Sequence, residues 1–159
     1  MKNDWERFKG IEGSLLGGIY DPQLNTHQYK KELILHATLP ILEVQHPNSK
    51  ETSYWKLSWF EKISGDDVLV VKEQDTPEPL NYAEINAPTQ KYAIISSSFS
   101  VENKLIKKVS GYGYMEESGE ELDTILLELK DMYISLRAGP AIEIRIAEKV
   151  PNIYGTILF

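Results

Sequence analysis

The stretch Met132-Tyr133-Ile134-Ser135-Leu136-Arg137-Ala138-Gly139-Pro140-Ala141-Ile142-Glu143-Ile144-Arg145-Ile146-Ala147 decides how this chain is read. Met132, Ile134, Leu136 and Ala138 alternate with Tyr133, Ser135 and Arg137. Beyond Gly139-Pro140-Ala141, Ile142, Ile144 and Ile146 alternate with Glu143, Arg145 and Ala147. A period of two places each apolar set on one face of a strand. Residues opposite one another in an antiparallel pair share a face, so the register follows. A two-residue turn at Gly139-Pro140 would set Leu136 against Glu143, mixing core with solvent. A three-residue loop over 139–141 pairs Leu136 with Ile144 and Ile134 with Ile146. The same alignment sets Arg137 against Glu143 and Asp131 against Lys149, so charge and hydrophobicity agree.

The preceding residues admit two readings. Ser118 with Glu121 resembles a capping box, and Leu122, Ile125, Leu126 and Leu129 recur at helical spacing. Alternatively, Ile125, Leu127 and Leu129 continue the sheet through a tight Lys130-Asp131 turn, facing Leu136, Ile134 and Met132. The strand is preferred because its register needs no adjustment.

Further upstream the chain reads as strands separated by turn signals. Asp4 can cap a short helix over 5–9 whose Trp5 and Phe8 pin the N-terminus to the core. Gly13, Gly17 and Gly18 around Leu15-Leu16 and Ile19-Tyr20 suggest a bulge or a close backbone approach. Pro40 divides the apolar segment 32–45 into two edge strands, or bulges a single one. Trp55, Leu57 and Trp59 share one face of a strand over 53–63, with Tyr54, Lys56, Ser58 and Phe60 on the other. Residues 75–90, with Pro77, Pro79 and Pro88, read as a long surface loop. Strands resume over 91–100 and 104–115. Residues 15–20 and 105–110 echo one another weakly, as two copies of a β-module would. The expected fold class is mainly β: an antiparallel β-sandwich or partly open barrel with one or two short helices, built as one domain over 1–159.

Composition narrows the function classes. There is no cysteine, which excludes disulfides, thiolate metal sites and cysteine nucleophiles. The net charge is −7, and it is unevenly spread: residues 1–60 balance, whereas the excess of carboxylates falls after residue 60. Such a chain repels phosphate backbones and anionic lipid surfaces, so neither nucleic acid nor a membrane is an expected partner. No apolar run suits a signal peptide or a spanning helix, and a cytoplasmic location is the expectation.

Chemistry is sparse. His27, His36 and His46 lack the two- or four-residue spacing of a metal site, and no serine sits in a nucleophile motif. No cofactor, metal or catalytic residue is assigned, and the reading leans away from an enzyme. Two candidate sites remain. Glu116, Glu117, Glu120, Glu121 and Asp123 form a run of carboxylates without a lysine or arginine, suited to a basic protein partner; an acidic inhibitor or immunity-type protein is the class this suggests. Trp55 and Trp59, with Tyr54 beside them, could instead stack on a planar ligand or a sugar in a ligand-binding barrel. Tyr112-Gly113-Tyr114 offers a similar aromatic pair. A second copy of the chain could use any exposed strand edge.

Overall fold

In the computed structural model, which describes residues 2–49, 51–88 and 90–159, these alternating stretches become one helix and thirteen strands. In chain order they are α1 (Lys2–Lys9), β1 (Leu15–Asp21), β2 (Asn25–Tyr29), β3 (Glu32–Ala37), β4 (Ile41–Gln45), β5 (Thr52–Glu61) and β6 (Asp67–Gln74). There follow β7 (Tyr82–Ala87), β8 (Gln90–Ile94), β9 (Ser97–Glu116), β10 (Gly119–Leu129), β11 (Tyr133–Arg137), β12 (Ile142–Ala147) and β13 (Thr156–Ile157). All pairings are antiparallel. One sheet runs β6-β5-β4-β1-β9 and the other β2-β3-β12-β11-β10-β9, with β13 beside β9. The two sheets enclose one apolar core, drawn from residues such as Leu42, Trp55 and Leu57 on one side and Ile125, Ile134 and Ile144 on the other. The end strands β2 and β6 are not hydrogen-bonded to each other, so the sheets stay open.

The 132–147 hairpin forms in the expected register: Ile134 faces Ile146, Leu136 faces Ile144, and Arg137 faces Glu143. The outermost pair differs. Pairing stops at Tyr133 and Ala147, and Asp131 turns away from Lys149 to meet Lys104 Nζ at 2.8 Å. Residues 119–129 are strand rather than helix, with Ile125, Leu127 and Leu129 facing the core. The helical spacing of Leu122 and Ile125 has a different origin. Asp123 is an extra residue in β10, since Leu122 pairs with Gly113 and Thr124 with Tyr112. This β-bulge lets two residues three apart share the inner face.

Several expectations need correction. The helix begins at Lys2, so Asp4 lies in its first turn instead of capping it; the carboxylate still complements the positive end of the helix. Phe8 meets Trp55 edge-on at 5.1 Å, and Trp5 stacks on Phe159 at 5.8 Å. The segment divided by Pro40 forms two strands in different sheets, and neither is an edge: β3 lies between β2 and β12, and β4 between β1 and β5. The crossover between them is held by Asp21. Its buried carboxylate accepts the backbone N–H groups of Gln23, Thr38 and Leu39, at 3.1, 3.3 and 2.9 Å. The proposed 75–90 loop contains β7, which pairs with β8 as a separate hairpin. Leu80, Tyr82 and Tyr92 pack there against Ile41 and Tyr54, forming a second small core. With so few buried positions, that hairpin leaves no alternation in the sequence.

The bulge foreseen among the glycines occurs at Gly17, where pairing with both β4 and β9 shifts register. The two strands expected over 91–115 divide differently: β8 ends at Ile94, and β9 is one strand of 20 residues shared by both sheets. Residues 97–100 and 104–105 pair with β1, and residues 106 and 108–116 pair with β10. The echoing segments 15–20 and 105–110 do not hold equivalent places, because β10 lies next to β9 whereas β3 lies in the sheet opposite β1.

Candidate functional site

The carboxylate run is split into three environments. At one corner of the sandwich the β9–β10 turn meets the β5–β6 turn. Lys62 Nζ donates to Glu116 Oε2 at 2.5 Å, to Glu121 Oε1 at 2.6 Å and to Ser118 Oγ at 3.1 Å. Hydrogen bonds to the two carboxylates hold the ammonium above its usual pKa. Glu121 is 6% exposed, and its Oε2 makes no hydrogen bond among the described residues. The Tyr114 hydroxyl donates to the Asp67 carbonyl at 3.4 Å. Burial, reinforced by Asp66, Glu116 and Glu121, pushes its pKa up to about 12. Lys62 therefore ties two hairpin tips from opposite sheets into one corner. Glu61, Asp66 and Glu117 remain exposed there, and so do Ile63 and Met115, the latter at 70%.

Glu120 departs from this group and meets Lys2 Nζ at 3.4 Å. Asp123 departs further. Its bulge re-aims the side chain onto the outer face of the second sheet, where it accepts the Thr124 hydroxyl at 2.7 Å. It lines a cleft of about 320 Å³ whose other walls include Thr124, Ser135, Arg137 and Arg145 under the segment 151–154. Arg145 is occupied there, donating to Glu143 at 2.8 Å and to Glu32 at 3.1 Å. Arg145, Glu143 and Glu32 on this face are thus paired with one another.

Trp55 is 1% exposed and packed on Phe8, so it turns no ring face toward solvent; Trp59 is half-buried against the same core. Tyr112 and Tyr114 flank Gly113, whose α-carbon lies so close to β10 that an added Cβ would fall 1.8 Å from the Glu121 carbonyl oxygen. His27 and His36, nine apart in sequence, are brought together by β2 and β3 and stack at 5.4 Å. Linear spacing could not reveal that pair. His46 lies elsewhere, 3.4 Å from Ser14 Oγ. Among the described residues, no group of three His, Asp or Glu side chains could hold a metal ion, and no helix is long and apolar enough to cross a membrane.

One cluster escaped the sequence reading. Glu43 on β4 lies beside Tyr20 on β1 and Tyr54 on β5. Burial raises the Glu43 pKa while the Tyr20 hydroxyl opposes that rise, and burial lifts Tyr20 to about 12. The only sequence signal was the glycine pair at 17–18, of which Gly17 makes room for the Glu43 side chain. The chain matches no protein-family model, no curated protein and no solved structure, so its function has to be argued from its own residues.

Proposed function

We propose that the chain is a non-catalytic binding protein that docks a basic protein on the Lys62 corner, in the manner of an acidic inhibitor or immunity-type protein. The supporting observation is the tie itself: Lys62 fixes two hairpin tips together while Glu61, Asp66 and Glu117 stay exposed beside Ile63 and Met115. Apolar side chains inside a charged rim are a common anatomy of protein interfaces, and a pre-tied corner lowers the ordering cost of association. The rim charges steer a cationic partner toward the corner, whereas Ile63 and Met115 supply contact area. Within the acidic run, Glu117 is the main docking charge. Glu116 and Glu121 serve mainly to hold the corner, Glu120 is shared with Lys2, and Asp123 faces elsewhere.

The test is affinity capture from the native source with the wild-type chain and with a Glu117→Lys/Asp66→Lys variant of unchanged melting temperature. A protein of basic isoelectric point should be retained by the wild type and released by the variant. Recovery of no basic protein, or equal retention by both, would remove this reading.

A further inference from the structure

Three strands converge on Gly17 at an irregularity that buries Val101 in the core but leaves Glu102 and Asn103 outside it. Where β1 advances from Leu16 to Gly18, β9 advances from Lys104 to Ser100, so that residues 101–103 lie opposite Gly17 alone. Glu102 and Asn103 take up this excess at φ values of 59° and 55°, the left-handed region that disfavours residues carrying a Cβ. Backbone held in such a conformation concentrates at functional sites, since packing alone seldom selects it. Its local consequence is that the Asn103 carboxamide oxygen and the Glu43 carboxyl both approach the Gly17 α-carbon. A Cβ on Gly17 would lie 2.7 Å from Glu43 Oε1 and 3.1 Å from Asn103 Oδ1.

Both side chains line a cleft of about 410 Å³, together with Gln45, Thr52, Tyr54 and Gln90. The cleft continues past Thr52, Tyr54 and Gln90 into a neighbouring one of about 460 Å³ that reaches Glu51, Asp75 and Tyr92. The β7–β8 hairpin forms one wall, anchored by Tyr92 and Tyr82 on the outer face of the first sheet. Volumes of this size suit a small ligand. The lining is dominated by carboxamides and hydroxyls, which both donate and accept hydrogen bonds. Burial raises the Glu43 pKa, while the hydrogen bond from the Tyr20 hydroxyl opposes the rise. Among the described residues, Lys91 is the one cation in either cleft, and it lies over the Tyr92 ring at 5.5 Å. A phosphate or other anion would face Glu43, Glu51 and Asp75 with, among the described residues, only that lysine in support. Among the described residues, these carboxylates do not converge into a metal site.

We propose that this groove binds a neutral saccharide, whose hydroxyls match the paired donor and acceptor capacity of Asn103, Gln45 and Gln90, with the Glu43 carboxyl as an acceptor. The site is separate from the Lys62 corner, and either assignment can fail without the other.

The test is a titration of isotope-labelled protein with a panel of neutral mono- and oligosaccharides, followed through the side-chain amide resonances of Asn103, Gln45 and Gln90. Inorganic phosphate and calcium ions serve as separate arms. At least one saccharide should shift these resonances saturably. Gly17→Ala, whose methyl displaces only flexible side-chain ends, should weaken that binding by about tenfold or more with little change in melting temperature. Gln90→Ala, on the exposed hairpin, should weaken it independently, which keeps the test decisive if Gly17→Ala folds poorly. The proposal is overturned if no saccharide gives saturable shifts, if phosphate or calcium does so instead, or if folded variants bind as tightly as the wild type.

Discussion

Replacing Asp21 should cost more than any other single surface-to-core polar change in this chain. The carboxylate is fully buried and accepts three backbone N–H groups, one before the crossover from β3 to β4 and two within it. In Asp21→Ala those donors lose their acceptor. A hydrogen bond to a charged group contributes about 1.5–3 kcal/mol, so three bonds lost non-additively amount to about 4 kcal/mol. In Asp21→Asn one oxygen survives. It can serve Leu39 or the Gln23–Thr38 pair, but the new amide nitrogen turns a donor toward a donor, for a loss of about 2 kcal/mol. In a chain of this size 1 kcal/mol corresponds to about 2–4 °C, so Asp21→Ala should melt about 8–16 °C below the wild type. Urea unfolding should show the midpoint falling with an unchanged slope, and Asp21→Asn should lie between the two. If Asp21→Ala unfolds within about 0.5 kcal/mol of the wild type, the crossover is not held by this carboxylate.

Other outcomes follow from the same geometry. Gly113→Ala would place a methyl 1.8 Å from the Glu121 carbonyl oxygen, and it should abolish the folded state or displace the β9–β10 hairpin, as amide exchange along β10 would reveal. Gly111→Ala meets the Phe159 ring first, at 2.1 Å; it should speed exchange at Leu158 while leaving β10 protected. Tyr20 and Tyr114 keep their protons more tightly folded than unfolded, so the stability they confer is complete below about pH 10 and is lost as pH rises toward about 12. An ultraviolet titration should therefore show late-titrating phenols, Tyr20 and Tyr114 together with Tyr54 and Tyr82, or alkaline unfolding, and Asp66→Lys should lower the Tyr114 midpoint. Lys62→Met should loosen the β5–β6 and β9–β10 turns together, seen as parallel gains in amide exchange at Ser64 and Ser118, whereas independent changes would show that the lysine does not couple them.

What the sequence disclosed tracks how each residue is held. Alternation carries the strands whose inner face meets the core, and paired registers carried the 132–147 hairpin to within one residue pair, because apolar and charged partners imposed the same alignment. Alternation is silent where few side chains are buried, which hid β2 with five exposed residues and β7 in its proline-rich setting. It misleads at bulges: the extra residue Asp123 made a strand imitate a helix. The acidic run was legible as a composition but not as a site. Only the fold brings Lys62, 54 residues before Glu116 in the chain, onto Glu116 and Glu121, and only the bulge sends Asp123 to another face. The Gly17 convergence was invisible for the same reason, since Glu43 and Asn103 come from strands far apart in sequence.

The docking reading rests on exposed rim charge at the Lys62 corner, and the association rate of the captured basic protein tests it. Measured by stopped flow against ionic strength, the rate constant should fall steeply as salt is added, because exposed charges are screened within about 10 Å at 0.1 M. Glu117→Lys/Asp66→Lys should slow association at low salt and flatten that dependence, with a smaller effect on dissociation. A rate constant that is indifferent to salt, or equal in the wild type and the variant, would contradict the assignment of this corner as the docking surface.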